Sequence, residues 1–199
     1  MNAERSALLI VDMQNSFCDP RGVVVQVGGP LDDIEAVIES LTRCTARARE
    51  LGMPVVLTRH GHSPGYEDMG RSASAYPISG LVRASNGLVR GSWDHDIIDE
   101  LKPKPEDIIV DKTRLDSFLH TPLESTLRSL AVDSIFIGGC VTNFCVETTV
   151  RSAWQRDFDV AVLADAVAAY TPEMQERGLS TMAECMFATV GPWMDAFQV

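Results

Sequence analysis

The sequence predicts an α/β protein: one domain over residues 1–199, built as three layers (helix, sheet, helix) around a mostly parallel sheet of about six strands. Three observations carry this. Short, continuous apolar runs recur along the chain, and such runs mark strands buried on both faces. Between them lie segments whose apolar residues return at helical spacing. The two kinds alternate from end to end, which implies parallel pairing through crossover connections. No internal repeat, low-complexity tract or linker breaks the pattern, and 45% hydrophobic with 23% charged residues is enough for one large core.

Taken in order, Ala7-Leu8-Leu9-Ile10-Val11 is the first strand, closed by Asp12. Met13 to Pro30 reads as a loop, with Pro20, Gly22, Gly28 and Gly29 as breakers around a short Val23-Val24-Val25 run. Leu31, Ile34, Val37, Ile38, Leu41, Cys44, Ala48 and Leu51 then recur at helical spacing, and Gly52 stops that helix. Pro54 to Thr58 is the second strand. From His60 to Gly91 the chain reads as one long irregular stretch, and loops of that length are generally lids or pocket walls. Trp93 to Leu101 reads as a short helix ended by Pro103 and Pro105.

Asp107 to Asp111 is the third strand, followed at once by Lys112. Thr121-Pro122-Leu123-Glu124 is a capping box with proline at the first helical position, and Leu123, Leu127 and Leu130 form the buried side of its helix. Ser134 to Ile137 is the fourth strand, and Glu147 to Trp154 the helix after it. Asp159 to Leu163 is the fifth strand, with Asp165 just beyond. Thr171-Pro172-Glu173 opens another helix, and Met186 to Val190 is a sixth, weaker strand.

Composition excludes several function classes. A net charge of −11 argues against a general nucleic-acid binder, which needs a basic surface, and against docking on anionic lipid. No apolar run approaches the ~20 residues of a membrane span, and the first residues lack a signal peptide's basic start and apolar core. Five cysteines at 18, 44, 140, 145 and 185 match no metal-site spacing and form an odd set for a disulfide framework. A cytoplasmic, reducing compartment is the expectation. Cys18, Cys44 and Cys185 read as structural.

Chemistry concentrates at three strand ends. In a parallel sheet the carboxyl ends of the strands share one edge, so Asp12, Lys112 and the segment after the fourth strand can converge. That segment is Gly138-Gly139-Cys140-Val141-Thr142-Asn143-Phe144-Cys145. With Thr142 as N-cap, Cys145 falls in the first helical turn, where unpaired N–H groups and the helix dipole favour a thiolate and can hold an oxyanion. Lys112 adds a positive charge that lowers the thiol pKa, and Asp12 can take the thiol proton and return it to a leaving amine.

These residues also carry a resemblance. Leu9-Ile10-Val11-Asp12-Met13-Gln14-Asn15, Lys112 with Phe118, and Gly139-Cys140-Val141-Thr142-Asn143-Phe144-Cys145-Val146 are similar to the motifs of the isochorismatase-like cysteine hydrolases, over nearly the whole chain. Leu115-Asp116 and Cys140 depart from the usual pattern, where relatives read Tyr-Ser and an aliphatic residue. The resemblance implies that Asp12, Lys112 and Cys145 are the catalytic triad. It also implies a cis peptide at Cys140–Val141 and an oxyanion hole from the backbone N–H groups of Val141 and Cys145. It implies hydrolysis of a small carbamoyl (ureido-type) amide with release of ammonia, no cofactor or metal, and a homo-oligomer, dimer or tetramer. Asn15, Phe17, Trp93, Arg114 and Phe144 are the expected substrate-binding residues. Arg71, Arg83, Arg90 and Arg114 are the candidate cations for a substrate carboxylate.

Three other readings stay open. Isochorismate hydrolysis shares the resemblance but needs no cysteine. A nicotinamidase-like or other small-amide hydrolase would use His60 and His62 as metal ligands. A non-enzymatic thiol redox or interaction protein would use Cys140 and Cys145, though their spacing is not C-x-x-C.

Overall fold

A computed structural model describes residues 3–71, 75, 77–186 and 188–197. Six strands form one sheet in the order β3-β2-β1-β4-β5-β6: β1 (Ser6–Val11), β2 (Val55–His60), β3 (Ile108–Lys112), β4 (Ser134–Cys140), β5 (Asp159–Ala168) and β6 (Thr189–Gly191). Every pairing is parallel. The continuous apolar runs follow from burial of both faces. Leu8 and Ile10 enter one core, while Ala7, Leu9 and Val11 enter the other. This strand order reverses direction between β1 and β4, and at such a switch point the strand ends open a crevice.

The helices are α1 (Asn15–Cys18), α2 (Val23–Gly28), α3 (Ile34–Glu50), α4 (Pro77–Ala84), α5 (Leu123–Ser129), α6 (Glu147–Trp154), α7 (Pro172–Cys185) and α8 (Trp193–Ala196). In α3, Val37, Leu41, Cys44 and Ala48 are buried, as the spacing predicts, and Gly52 leaves the helix with φ +68. Thr171 caps α7 through a hydrogen bond that its side chain accepts from the Met174 N–H. One glycine sets the centre of the sheet. Gly139, paired with Val11, has φ +118, and a Cβ there would lie 2.1 Å from the Val11 carbonyl oxygen.

Several expectations are corrected. The Met13–Pro30 loop contains α1 and α2. Three β-branched valines begin α2 because tertiary partners cap it: the Val23 N–H donates to Asp94 Oδ1 (2.8 Å) and the Val24 N–H to Ser16 Oγ (3.3 Å). The His60–Gly91 stretch carries α4, opened by Pro77, although residues 72–74 and 76 lie outside the described residues. Trp93 to Leu101 is not one helix but two short 3-10 turns. Its middle is held by the loop after β1, through Asn15 N–H to the Asp96 carbonyl and Ile98 N–H to the Met13 carbonyl.

Leu130 is exposed rather than buried, because α5 ends at Ser129 and the chain turns through Ala131 with φ +57. Glu124 does not close a capping box; it pairs with Arg156. Asp165 lies inside β5, which runs on to Ala168 past an irregularity opposite Ile137 and Gly139. β6 starts at Thr189, later than expected, and Phe187 of that expected strand lies outside the described residues.

Candidate active site

Asp12, Lys112 and Cys145 meet at the carboxyl edge of the sheet. Asp12 leaves β1 in the left-handed region (φ +53), which turns its carboxylate back over the strand ends. Thr58, on the neighbouring strand, holds it there. Its hydroxyl accepts from the Asp12 N–H (3.1 Å) and donates to Asp12 Oδ1 (2.6 Å). Asp12 Oδ2 lies 2.7 Å from Lys112 Nζ, with both side chains fully buried. The Lys112 ammonium also donates to the carbonyls of Arg114 (2.9 Å) and Leu115 (3.0 Å). The ammonium is thus surrounded by a carboxylate, two carbonyls and the Cys145 sulfur.

Cys145 lies in a π-helical turn, Thr142–Val146, between β4 and α6, and its thiol contacts both Asp12 and Lys112. The N-cap of this turn is Val141, not Thr142. The Thr142 hydroxyl instead donates to Gln175 Oε1 (2.6 Å). The expectation of a lowered thiol pKa is also corrected. Burial pushes Cys145 up to about 12; Lys112 opposes this and Asp12 adds to it. Cys145 therefore rests as a thiol beside a carboxylate. Burial also disfavours the Lys112 charge, but Asp12 and Cys145 outweigh it and hold the ammonium above its ordinary range. The Cys140–Val141 peptide is cis, and the Cys140 thiol donates to the Asp12 carbonyl (3.2 Å).

Cys145 opens onto a cleft of about 690 Å³, counting its mouth, with Asp12 and Lys112 buried behind it. Val141, Phe144 and Cys145 line one side, Phe17 and Val24 another, and His60, His62, Met69, Leu88 and Leu115 a third. Ile78, Ser79 and Val82 of α4, with Tyr170, complete it. Of the expected substrate-binding residues, Phe17 and Phe144 line this cleft. The other three do not. Asn15 donates its amide to the Trp93 carbonyl (2.8 Å), Trp93 is exposed beneath the Arg21 guanidinium (4.7 Å from its ring), and Arg114 donates to the carbonyls of Asp68 and Thr113. They build the rim.

Two positioning residues were not singled out from sequence. Thr58 has a signal: a hydroxyl at the end of a strand that neighbours β1. Gln14 is fully buried. It accepts from the His60 N–H (2.7 Å) and donates to the carbonyls of His60 (3.0 Å) and His95 (2.8 Å), clamping three segments. His60 is held neutral: burial, then the Lys112 charge, pulls its pKa down to about 3, against the opposing pull of Asp12. Among the described residues its Nδ1 has no hydrogen-bond partner.

One ligand atom each from Asp12, His60 and Cys145 lie within 4.8 Å of one another, and among the described residues this converging group does not include His62. The Lys112 ammonium already faces Asp12 Oδ2 there, so the carboxylate of this group is neutralised by a cation of the chain's own.

A buried acid, an ammonium and a thiol at the switch point of a parallel sheet define a cysteine-hydrolase type of site. A family model for the isochorismatase domain matches residues 6–195, so the chain belongs to the isochorismatase family of cysteine hydrolases. It is 34% identical to ureidoacrylate amidohydrolase RutB of Methylobacterium radiotolerans, over 92% of this chain and 74% of that protein, and 32% identical to its namesake in Stutzerimonas stutzeri, over 99% and 83%. Among solved structures, a cysteine hydrolase from Pseudomonas syringae pv. phaseolicola superposes with a TM-score of 0.86 at 30% identity, covering 98% of this chain and 92% of that one. N-carbamoylsarcosine amidase from Thermoplasma acidophilum shares the fold, with a TM-score of 0.73 at 24% identity over 95% and 96%. Among the described residues no helix is long and apolar enough to cross a membrane.

Proposed function

We propose that this chain is a cysteine-dependent amidohydrolase that cleaves the C–N bond of a small carbamoyl compound, R–NH–CO–NH₂ or a related amide, and releases ammonia. The supporting observation is the Cys145 thiol, which lines an open, largely apolar cleft and touches the buried Asp12–Lys112 pair behind it. The relatives' names point the same way, since ureidoacrylate amidohydrolase acts on a ureido compound.

The steps follow from the geometry. The Asp12 carboxylate takes the Cys145 proton as sulfur attacks the carbonyl carbon, so the thiolate forms only when it is used. Negative charge passes to the carbonyl oxygen, which the N–H groups of Val141 and Cys145 hold. Lys112 acts here through its charge. Its fixed charge keeps Asp12 aligned and lowers the energy of the anionic intermediate. Asp12 then gives its proton to the departing nitrogen, the C–N bond breaks, and a thioester or thiocarbamate remains on Cys145. Water, deprotonated by Asp12, attacks that carbon; the C–S bond breaks and sulfur recovers a proton. No step calls for a metal or cofactor.

The nicotinamidase-like reading keeps the same steps but places a metal at His60 and His62. The test is ammonia release with intact-mass detection of the acyl-enzyme. Cys145→Ala, Cys145→Ser and Asp12→Asn lose nearly all turnover and accumulate no adduct, Cys140→Ala keeps much of it, and prolonged chelator treatment leaves the wild type active. Amide hydrolysis by Cys145→Ala at the wild-type rate would overturn the mechanism. Activity lost to chelator and restored by zinc or iron would favour the nicotinamidase-like reading.

A further inference from the structure

We infer that the cleft selects a neutral substrate, a small amide or N-substituted urea whose non-reacting end is an apolar group rather than a carboxylate; this rests on the reading of Cys145 as the nucleophile of an amide hydrolase. Beyond Cys145 the walls are mainly apolar: Phe17, Val24, Ile78, Val82, Leu115 and Phe144 face the space that the rest of a substrate must fill, and the polar side chains among them, Ser79, Tyr170, His60 and His62, bring no positive charge. Among the described residues no lysine or arginine lines the cleft.

Each cation expected to meet a carboxylate is placed elsewhere. Arg114 is spent on the carbonyls of Asp68 and Thr113. Arg90 pairs with Asp68 at 2.6 Å, and Arg83 lies 5.9 Å from the centre of the Tyr66 ring. Arg71 is exposed at the surface. The α4-side residues outside the described set, Ser72, Ala73, Ser74 and Tyr76, carry no cation in any conformation. Lys112 is buried against Asp12 and the carbonyls of Arg114 and Leu115, behind the cleft lining. The imidazoles that do line the cleft are held neutral by burial.

A carboxylate placed among these side chains would lose its hydration and find no counter-charge, beside the negative Asp12. An alkyl group would gain from leaving water. The reacting end is different: Asp12 and the His60 Nδ1, unpartnered among the described residues, give a carbamoyl group polar partners. The site therefore reads as one polar end that fixes an amide and one apolar end that fixes its substituent. This departs from the ureidoacrylate of the relatives' name, which is an acid.

The test uses matched pairs that differ only in a terminal methyl or carboxylate: propylurea against N-carbamoyl-β-alanine, and butanamide against succinamate, with ammonia release read as kcat/KM. Butanal against succinic semialdehyde gives a binding readout independent of turnover. Each forms a reversible thiohemiacetal in which the Cys145 sulfur bonds the aldehyde carbon and the thiol proton moves to the oxygen, and each is scored by protection of Cys145 from iodoacetamide. The neutral member is expected to win by at least about tenfold in each comparison. Ile78→Arg, which places a cation in the apolar wall, should narrow or reverse the ratio. An acidic member equal to or better than its neutral partner in wild type overturns the inference and leaves the amidohydrolase standing. No turnover of either pair, with butanal still the better protectant, overturns the amidohydrolase reading and leaves the preference for neutral ligands standing.

Discussion

Removing one partner of the Asp12–Lys112 pair should cost far more than removing both. The two charges are 2.7 Å apart and fully buried, so their attraction at an effective dielectric constant of ~20 is about 6 kcal/mol. Lys112→Met leaves the carboxylate with the Thr58 hydroxyl and the Cys145 thiol, and no cation. Asp12→Asn leaves an ammonium beside two carbonyls and the Cys145 sulfur, and no anion. Each single variant should lose about 3–5 kcal/mol of unfolding free energy, the usual cost of an orphaned buried charge. The double variant Asp12→Asn/Lys112→Met removes both charges and should be destabilised by less than the sum of the singles, by about 2 kcal/mol or more. Urea unfolding at neutral pH measures this from the midpoints at unchanged slope. If the singles add to within about 0.5 kcal/mol, the charges do not couple and the account of this pair is wrong. All three variants should also be inactive, which separates the pair's structural role from its chemistry only in the stability data.

Thr58→Val removes the hydroxyl that orients Asp12 and leaves the Asp12 N–H unpartnered; it should cost about 1–3 kcal/mol and lower kcat more than it raises KM, with Thr58→Ser restoring most of the rate. The His60 pKa falls from 6.5 to about 3, so its contribution to stability is fully present above pH 6.5 and is lost as pH falls towards 3. Between pH 7 and pH 4 that contribution is about 3 kcal/mol, so His60→Asn should lose correspondingly less over this range in denaturant titrations; parallel wild-type and variant curves would rule it out. A homo-oligomer is expected from the family resemblance, and light scattering at micromolar concentration should give a mass above the 21.8 kDa of one chain.

Much of this architecture is legible in the sequence because burial of both sheet faces writes itself as unbroken apolar runs. Leu8-Leu9-Ile10 and Ile135-Phe136-Ile137 have no other simple use. The convergence of Asp12, Lys112 and Cys145 follows from parallel topology alone, since each is at or just beyond a strand's carboxyl end. What sequence patterns conceal is stabilisation by distant partners. The α2 helix exists because Asp94 and Ser16 cap it, and no local propensity in Val23-Val24-Val25 announces that. The same holds for electrostatics. A helix start and a nearby lysine argue for a low thiol pKa, whereas Cys145 is so enclosed that desolvation wins. Arg114 misleads in the same manner: a cation next to Lys112 in sequence turns out to brace the Asp68 loop.

Gly139 ties the chemistry to the architecture at a single point. Asp12 is the residue after Val11, and the segment that leads to Cys145 begins immediately after Gly139, so the Val11–Gly139 pairing helps to set how Asp12 and Cys145 face each other. Nothing stands between the strands there: any Cβ at Gly139 would meet the Val11 carbonyl oxygen at 2.1 Å, on a backbone at φ +118 that disfavours side chains in any case. A larger residue must push β4 away from β1, and the same displacement that breaks sheet pairing separates carboxylate from thiol. Stability and catalytic alignment therefore cannot drift independently at this position. Changes to the cleft walls leave this contact alone, whereas a side chain at Gly139 reaches the sheet and the Asp12–Cys145 contact at once.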